Sequence, residues 1–169
     1  MRQSLPLDNG VFSSFARYKL RILYHSPSLL PYSIMETFAK PRLGLYRPLA
    51  YEKREIRLLH IEKDFLDTTP IRCSLRTVSL DDAPAYDCIS YMWGDQGATT
   101  PIQIDGFGIL VTGNLVDGLL RFRRRDRSEH TQSWLWADAI CIDQANLIER
   151  ARQVAMMADI FVNAQCVRV

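Results

Sequence analysis

The sequence predicts an α/β domain whose sheet has parallel central strands, a β-hairpin and flanking helices. From residue 86 onward, extended and helical patterns alternate, and this alternation favours parallel pairing of the strands. An Asp-Gly pair between two apolar runs, 102–104 and 107–111, predicts the hairpin. Two other apolar runs, 86–93 and 134–142, break abruptly into polar residues, as buried strands do when they deliver polar groups to the edge of a sheet.

Composition places the chain among ordinary globular proteins. Its 169 residues are 47% apolar and 24% charged, enough for one compact domain with an appendage. The net charge of +2 argues against a partner nucleic acid. No stretch approaches the roughly 18 apolar residues that a membrane-spanning helix requires. Since the first nine residues also lack a signal-peptide pattern, we expect a cytoplasmic protein with no membrane span.

The first 45 residues differ from the rest. They contain six Lys or Arg against Asp8 and Glu36, and prolines interrupt any long helix. We expect residues 1–45 to form a poorly ordered basic leader with at most a short helix over 11–23. The compact domain is then 46–169.

The elements of this domain follow from periodicity. The early strands are predicted over 55–61, 71–78 and 86–93, and a helix after the hairpin has an apolar stripe and a solvated, arginine-rich end. The strand 134–142 precedes a helix over 147–162. The predicted core stripe of this helix consists of Leu147, Ala151, Val154, Ala158 and Phe161.

The four cysteines do not suggest a metal site. Cys73, Cys88, Cys141 and Cys166 are widely spaced, without a Cys-x-x-Cys pair. Cys88 and Cys141 lie within apolar runs, where we expect them to be buried and reduced.

Three groups of residues could carry a function. Ser90, Trp93, Gly94 and Asp95 end one strand, where an indole can stack on a ligand and glycine permits close approach. The alternative is an ordinary strand end followed by a turn.

The second group follows the next buried strand. Asp138 interrupts an apolar run, so its carboxylate must be paired, hydrogen-bonded or shifted in pKa. Either it belongs to a site with Asp143 and Gln144, or it is a structural acid held by Arg150 or by a backbone amide. Asp143 itself suits a turn or a helix cap.

The third group begins the last helix. Glu149 stands three residues after Asn146, as in a capping box, which needs no functional explanation. A glutamate beside Arg150 could also stabilise an oxocarbenium ion or orient a ribose hydroxyl during glycosidic cleavage. A pocket would separate these alternatives.

Taken together, the blocks YRPL, IRLLHI, YDCISYMWGD, IQIDGFGILVTGNL, LWADAICIDQ and ERARQVAMMADIF closely resemble the fungal HET (heterokaryon incompatibility) domain. The family pattern Ser-Tyr-x-Trp-Gly matches 90–94, and Trp-x-Asp-Ala-x-Cys-x-Asn/Asp-Gln matches 136–144. The third pattern, Glu-Arg-x-x-Gln-Val-x-x-Met, matches 149–157. Ala137, Asp143 and Phe161 replace residues commoner in the family. Since family members continue with a further strand and helices, we expect a domain that is incomplete at its C-terminal end.

The resemblance implies a module of non-self recognition and regulated cell death in fungi that acts by association with itself or with protein partners. It also implies a TIR-like three-layer α/β fold and, as the alternative function, cleavage of NAD. On that alternative, no cofactor is needed and NAD is the substrate, with Glu149 and Asp138 as catalytic residues. A nucleotide ligand would contact Ser90, Trp93, Gly94, Asp95, Asp143, Gln144 and Arg150. A further alternative is an inactive domain fragment.

Overall fold

In the part of the chain that the structure describes, seven strands form one mixed sheet with helices packed against it. A computed structural model of the chain describes residues 44–62, 71–92, 99–126 and 133–169. The strand order across the sheet is β5-β4-β2-β1-β6-β3-β7. The strands are β1 (Glu55–Ile61), β2 (Arg72–Ser79), β3 (Tyr86–Ile89), β4 (Thr99–Ile104), β5 (Phe107–Thr112), β6 (Trp134–Trp136) and β7 (Cys166–Arg168), and the helices are α1 (Gly113–Asp126), α2 (Asp138–Cys141) and α3 (Leu147–Asn163).

Strand β1 occupies the centre of the sheet. Its side chains at Ile56, Leu58 and Leu59 are fully buried, which is typical of a strand covered on both faces. It runs antiparallel to both neighbours, β2 and β6. The predicted strand over 55–61 is therefore confirmed and lies in the middle of the fold.

Parallel pairing is concentrated on one side of β1. β3 pairs in parallel with β6 and with β7, and on the other side β2 pairs in parallel with β4. The predicted parallel strands are thus found, but the central strand of the sheet is antiparallel. The alternation from residue 86 could not reveal this, because β1 comes from an earlier part of the chain.

The strand predicted over 134–142 is too long. β6 ends at Trp136, and Asp138–Cys141 forms the short helix α2. The amide of Ala137, the residue before this helix, donates to the Cys141 Sγ at 3.4 Å. The run stays apolar because α2 is also buried, so hydrophobicity alone could not locate the boundary. Likewise β3 ends at Ile89, and of the predicted strand 86–93 only its last residue lies outside the described ranges.

The predicted hairpin is confirmed. β4 and β5 pair antiparallel from Ile104 opposite Phe107, and the turn residues Asp105 and Gly106 have φ values of 49° and 82°. Positive φ at both positions is characteristic of the type I′ hairpin turn, whose backbone twist matches that of the two flanking strands. The Asp105 carboxylate also accepts a hydrogen bond from the Leu75 amide at 3.1 Å.

Helix α1 packs its predicted stripe, Leu115, Leu119 and Phe122, into the core. Its arginine-rich end is not wholly solvated as expected, since Arg123 is only 2% exposed. An arginine side chain can be buried where its guanidinium finds partners, and sequence periodicity does not show those partners.

Helix α3 buries a face different from the predicted one. Leu147, Ala151 and Ala158 of the predicted stripe are exposed, whereas Val154 is buried and Phe161 is half-buried. The prediction failed because α3 is apolar on two sides, so that the period of 3.6 does not identify the inner one. The buried residues of the helix are Glu149, Gln153, Val154, Met157 and Ile160.

Cys73, Cys88 and Cys141 are buried, Cys166 is exposed, and all four are free thiols. None of the helices in the described ranges is long and apolar enough to cross a membrane. The predicted leader falls outside the described residues except for its last two positions.

Candidate functional site

Two neighbouring parallel strands bring predicted site residues to one edge of the sheet. Cys88 of β3 lies opposite Trp136 of β6, so Ser90 and Asp138, each two residues further on, follow the same ends of adjacent strands. Ser90 is 9% exposed, and its amide donates to the Arg168 carbonyl of β7 at 2.6 Å. We call Ser90, Tyr91 and Asp138 the carboxyl-end patch.

Asp138 is buried in this patch, with 1% of its surface exposed. Its Oδ1 accepts a hydrogen bond from the Ala139 amide at 2.9 Å, and its backbone carbonyl accepts one from the Gln144 side chain at 2.8 Å. Of the two structural partners suggested by the sequence, the backbone amide is therefore present.

Asp138 is close enough to Tyr91 to affect the pKa of its phenol. Burial raises the pKa of the Tyr91 phenol far above its usual value, and the negative charge of the Asp138 carboxylate raises it further. A phenol in this environment stays protonated at neutral pH. It can donate a hydrogen bond but cannot act as a base.

Glu149 does not face an open site. The residue is 1% exposed, and its carboxylate makes a bidentate ion pair with Arg57, at 2.5 Å from Oε1 to Nη1 and 3.1 Å from Oε2 to Nη2. Oε1 also accepts a hydrogen bond from the Asp143 amide at 2.8 Å. The capping box is thus half formed: Asn146 accepts from the Glu149 amide at 3.1 Å, while the glutamate side chain turns inward.

Arg57 is the principal residue of this region that the sequence reasoning missed. It lies in the middle of β1 and is 2% exposed. Besides Glu149, its guanidinium donates to the carbonyls of Cys141 at 3.1 Å and Arg47 at 2.6 Å. The sequence carries a signal for it, because a charged residue inside an apolar strand, like Asp138 in its apolar run, needs a buried partner.

An aromatic ring completes the surroundings of Arg57. The Tyr46 ring centroid lies 4.8 Å from the guanidinium carbon, within the range of a cation–π interaction. The Tyr46 hydroxyl donates to the carbonyl of Ile140, a residue of α2, at 2.8 Å. The guanidinium therefore connects the segment before β1, the end of α2 and the first turn of α3.

Gln153 extends the polar contact between α3 and β1. It is fully buried, and its Nε2 donates to the Glu55 carbonyl at 2.8 Å. Its Oε1 has no hydrogen-bond partner within the described part of the chain. The inner face of α3 thus begins with two polar side chains, which explains why hydrophobic periodicity did not identify it.

The other predicted site residues have the following positions. The Asp143 carboxylate accepts from the Ala145 amide at 3.1 Å, which matches the turn role considered for it. Gln144 is held against Asp138, and Arg150 is half-buried on the first turn of α3. Trp93, Gly94 and Asp95 lie outside the described residues, so the predicted ligand contact at the indole is not located.

Cys141 lies close to both the carboxyl-end patch and the Arg57–Glu149 ion pair. Burial raises the pKa of its thiol to about 12, and the Sγ donates weakly to the Leu135 carbonyl at 3.9 Å. A neutral buried thiol is neither a nucleophile nor a metal ligand. Among the described residues, no group of three or more His, Cys, Asp or Glu is arranged to hold a metal ion.

Comparison with known proteins gives one consistent result. Residues 86–169 match the family described as Heterokaryon incompatibility protein (HET). The chain is also similar to "Heterokaryon incompatibility protein 6, OR allele" of Neurospora crassa, with 33% identity over 124 residues, which cover 68% of this chain and 18% of the relative. The chain thus spans less than a fifth of the length of that relative. No solved structure gives a significant match.

Proposed function

We propose that this chain, which belongs to the heterokaryon incompatibility (HET) family, is a module of fungal non-self recognition and regulated cell death that acts by protein association. The similar Neurospora protein is named for heterokaryon incompatibility, and this supports the biological role. The mode of action rests on the geometry of Glu149.

The buried Arg57–Glu149 ion pair is the observation that favours association over catalysis. A glutamate that stabilises a reacting sugar must reach the substrate. Here both carboxylate oxygens are bound by the guanidinium, and Oε1 receives the Asp143 amide in addition. Releasing this carboxylate would leave the Arg57 charge buried without its partner, which is costly.

Cleavage of NAD is the second candidate, and the carboxyl-end patch is the observation in its favour. Ser90 and Asp138 follow the ends of adjacent parallel strands, where α/β folds of many kinds bind ligands. A TIR-like arrangement of the three parallel strands β6, β3 and β7 would be consistent with that chemistry. On this candidate, Asp138 would have to act in place of the engaged Glu149.

Two measurements test the proposal, the first its biological role and the second its mode of action. In the first, the chain is expressed from an inducible promoter in a filamentous fungus and cell viability is scored. We expect death on induction. Survival of cells that contain the folded chain at a confirmed level would contradict the proposed role.

In the second, the purified chain is incubated with NAD at high protein concentration, beside Asp138→Asn and Glu149→Gln. We expect no turnover above the rate of a blank. Turnover that is lost in Asp138→Asn, with the melting temperature of the protein retained, would overturn the association mechanism in favour of catalysis.

A further inference from the structure

The outward-facing side of α3 is apolar along its whole length. Leu147, Ile148 and Val162 expose 65%, 66% and 69% of their surface. Three alanines complete this face, which we call the outer face of α3: Leu147, Ile148, Ala151, Ala155, Ala158 and Val162, all of them exposed. At 3.6 residues per turn, these positions cover an arc of about 100°, as wide as the buried face of a typical amphipathic helix.

The order of residues along the outer face is nearly symmetric about its middle. The large side chains are at the two ends and alanines lie between them. If two such helices pack antiparallel with Ala155 near the centre, Leu147 lies opposite Val162 and Ala151 opposite Ala158. Small central residues let two helix backbones approach closely, and the larger end residues then pack beside each other.

Charges on one flank select the antiparallel direction. Arg152 and Asp159 are both exposed and lie on the same side of the apolar arc. In an antiparallel pair like flanks face each other, so Arg152 of one copy lies opposite Asp159 of the second copy, twice by symmetry. In a parallel pair this flank would face the other edge of the arc instead.

Both charges remain available although each already has a contact. Arg152 stacks on the Tyr51 ring at 3.9 Å, and Asp159 bonds to Arg54 at 2.5 Å. The Asp159 side chain nevertheless keeps 59% of its surface exposed. Its neighbours hold it in place at the edge of the outer face.

We infer that the outer face of α3 binds the same face of a second copy of this chain in an antiparallel helix pair. The inference rests on the proposed function, because it supplies the surface through which the module associates. A single helix face is at the small end of interface sizes, so the dimer should form reversibly with rising concentration.

The first test measures the mass of the full chain by light scattering over a range of concentrations. We expect a monomer–dimer equilibrium, and Ala155→Glu should weaken it at least tenfold because two glutamates then meet at the centre. Ala145→Glu is the matched control, since Ala145 is also exposed but lies before α3. A chain that stays monomeric, or an equal loss in the control, would overturn the inference.

The second test determines the direction of packing with a short bifunctional thiol reagent. In a Cys166→Ser background, Ala155→Cys should cross-link to itself. Ala151→Cys should cross-link to Ala158→Cys in a mixture and poorly to itself. Efficient self-linking at 151 and 158 would mean parallel packing and would contradict the proposal.

Another occupant would give a different result. If residues 1–43 covered the outer face, the chain would be monomeric and Ala155→Cys would be protected from a maleimide, which also overturns the inference. The fungal assay separates the two proposals. Death caused by a monomeric chain would refute only the helix pair, and a dimer that does not kill would refute only the proposed function.

Discussion

At the scale of single residues, the contact between Arg57 and Glu149 joins positions 92 apart in the sequence. Two charges removed from water are tolerated only when the geometry is good and their remaining hydrogen-bonding atoms are satisfied. Both conditions hold here, because the guanidinium also meets two carbonyls and the carboxylate meets a backbone amide. Removing one partner alone is therefore expected to cost more than the intact pair contributes to net stability.

Glu149→Ala should lower the free energy of unfolding by about 3–5 kcal/mol, because it leaves the Arg57 charge buried without a partner. Urea denaturation followed by circular dichroism measures this change. Glu52→Ala removes an exposed glutamate and should alter stability by no more than about 0.5 kcal/mol. Equal effects of the two substitutions would mean that the ion pair is not needed for the fold.

The four thiols should differ in reactivity. Cys166 is exposed, whereas burial raises the pKa of both Cys73 and Cys141 to about 12. Since the thiolate is the reactive form, a maleimide at pH 8 should label one thiol quickly in the native protein and four in denaturant. Mass spectrometry counts the labels. Rapid native labelling of a second cysteine would show that one of the buried sites opens.

The sequence indicates that Asp138 needs a partner, but it does not indicate which residue pairs with Arg57. Asp138 was recognisable because a carboxylate within an apolar run demands a partner, and the Ala139 amide is such a partner. Arg57 presents the same signal in β1 but was not connected with Glu149. A pairing across 92 positions depends on which strands are neighbours, and a local pattern carries no such information.

At the scale of elements, α1 approaches β3 closely because Gly118 has no side chain. A Cβ at this position would collide with the Ile89 Cδ1, the far end of a buried side chain. Gly113, in the first turn of the same helix, has open space around its Cα. Alanine substitutions at these two glycines therefore distinguish the effect of packing on stability from that of helix propensity.

Gly118→Ala should destabilise the protein by about 1–2 kcal/mol despite the better helix propensity of alanine, because it overfills the contact with β3. Gly113→Ala should be neutral or slightly stabilising. In the double variant Gly118→Ala with Ile89→Val the colliding methyl group is gone, so part of the lost stability should return. Thermal melts of the unchanged protein, of the single variants Gly118→Ala and Ile89→Val, and of the double variant measure this coupling, and strictly additive effects would contradict it.

Elements with one apolar face were predicted well, and elements with two were not. The hairpin followed from Asp105 and Gly106, whose backbone angles only a few residue types adopt easily. The inner face of α3 was misassigned because Leu147 and Val154 are equally apolar, while only the second is buried. For such a helix the tertiary partners determine which side turns inward.

At the scale of the whole molecule, the region that matches the family does not contain the centre of the sheet. The match begins at residue 86, whereas β1 and β2 come before it. β1 nevertheless lies between β2 and β6, and it carries the partner of Glu149. Without these two strands, β6 and β4 would each become an exposed sheet edge.

A chain limited to residues 86–169 should therefore fail to fold, while the full chain should show a cooperative melting transition. Both are expressed under the same conditions and compared by circular dichroism and light scattering. A cooperative melt of the shorter chain would contradict the central role assigned to β1. The sequence predicted β1 as a strand, but its place in the sheet required the long-range pairing.

The position of β1 also limits which recombinants of this domain can fold. A recombination point between β2 and β3 would combine the central strand of one allele with the α3 helix of another, and with it two halves of a buried ion pair. Alleles that differ at either position would yield unstable recombinants even though each parent folds.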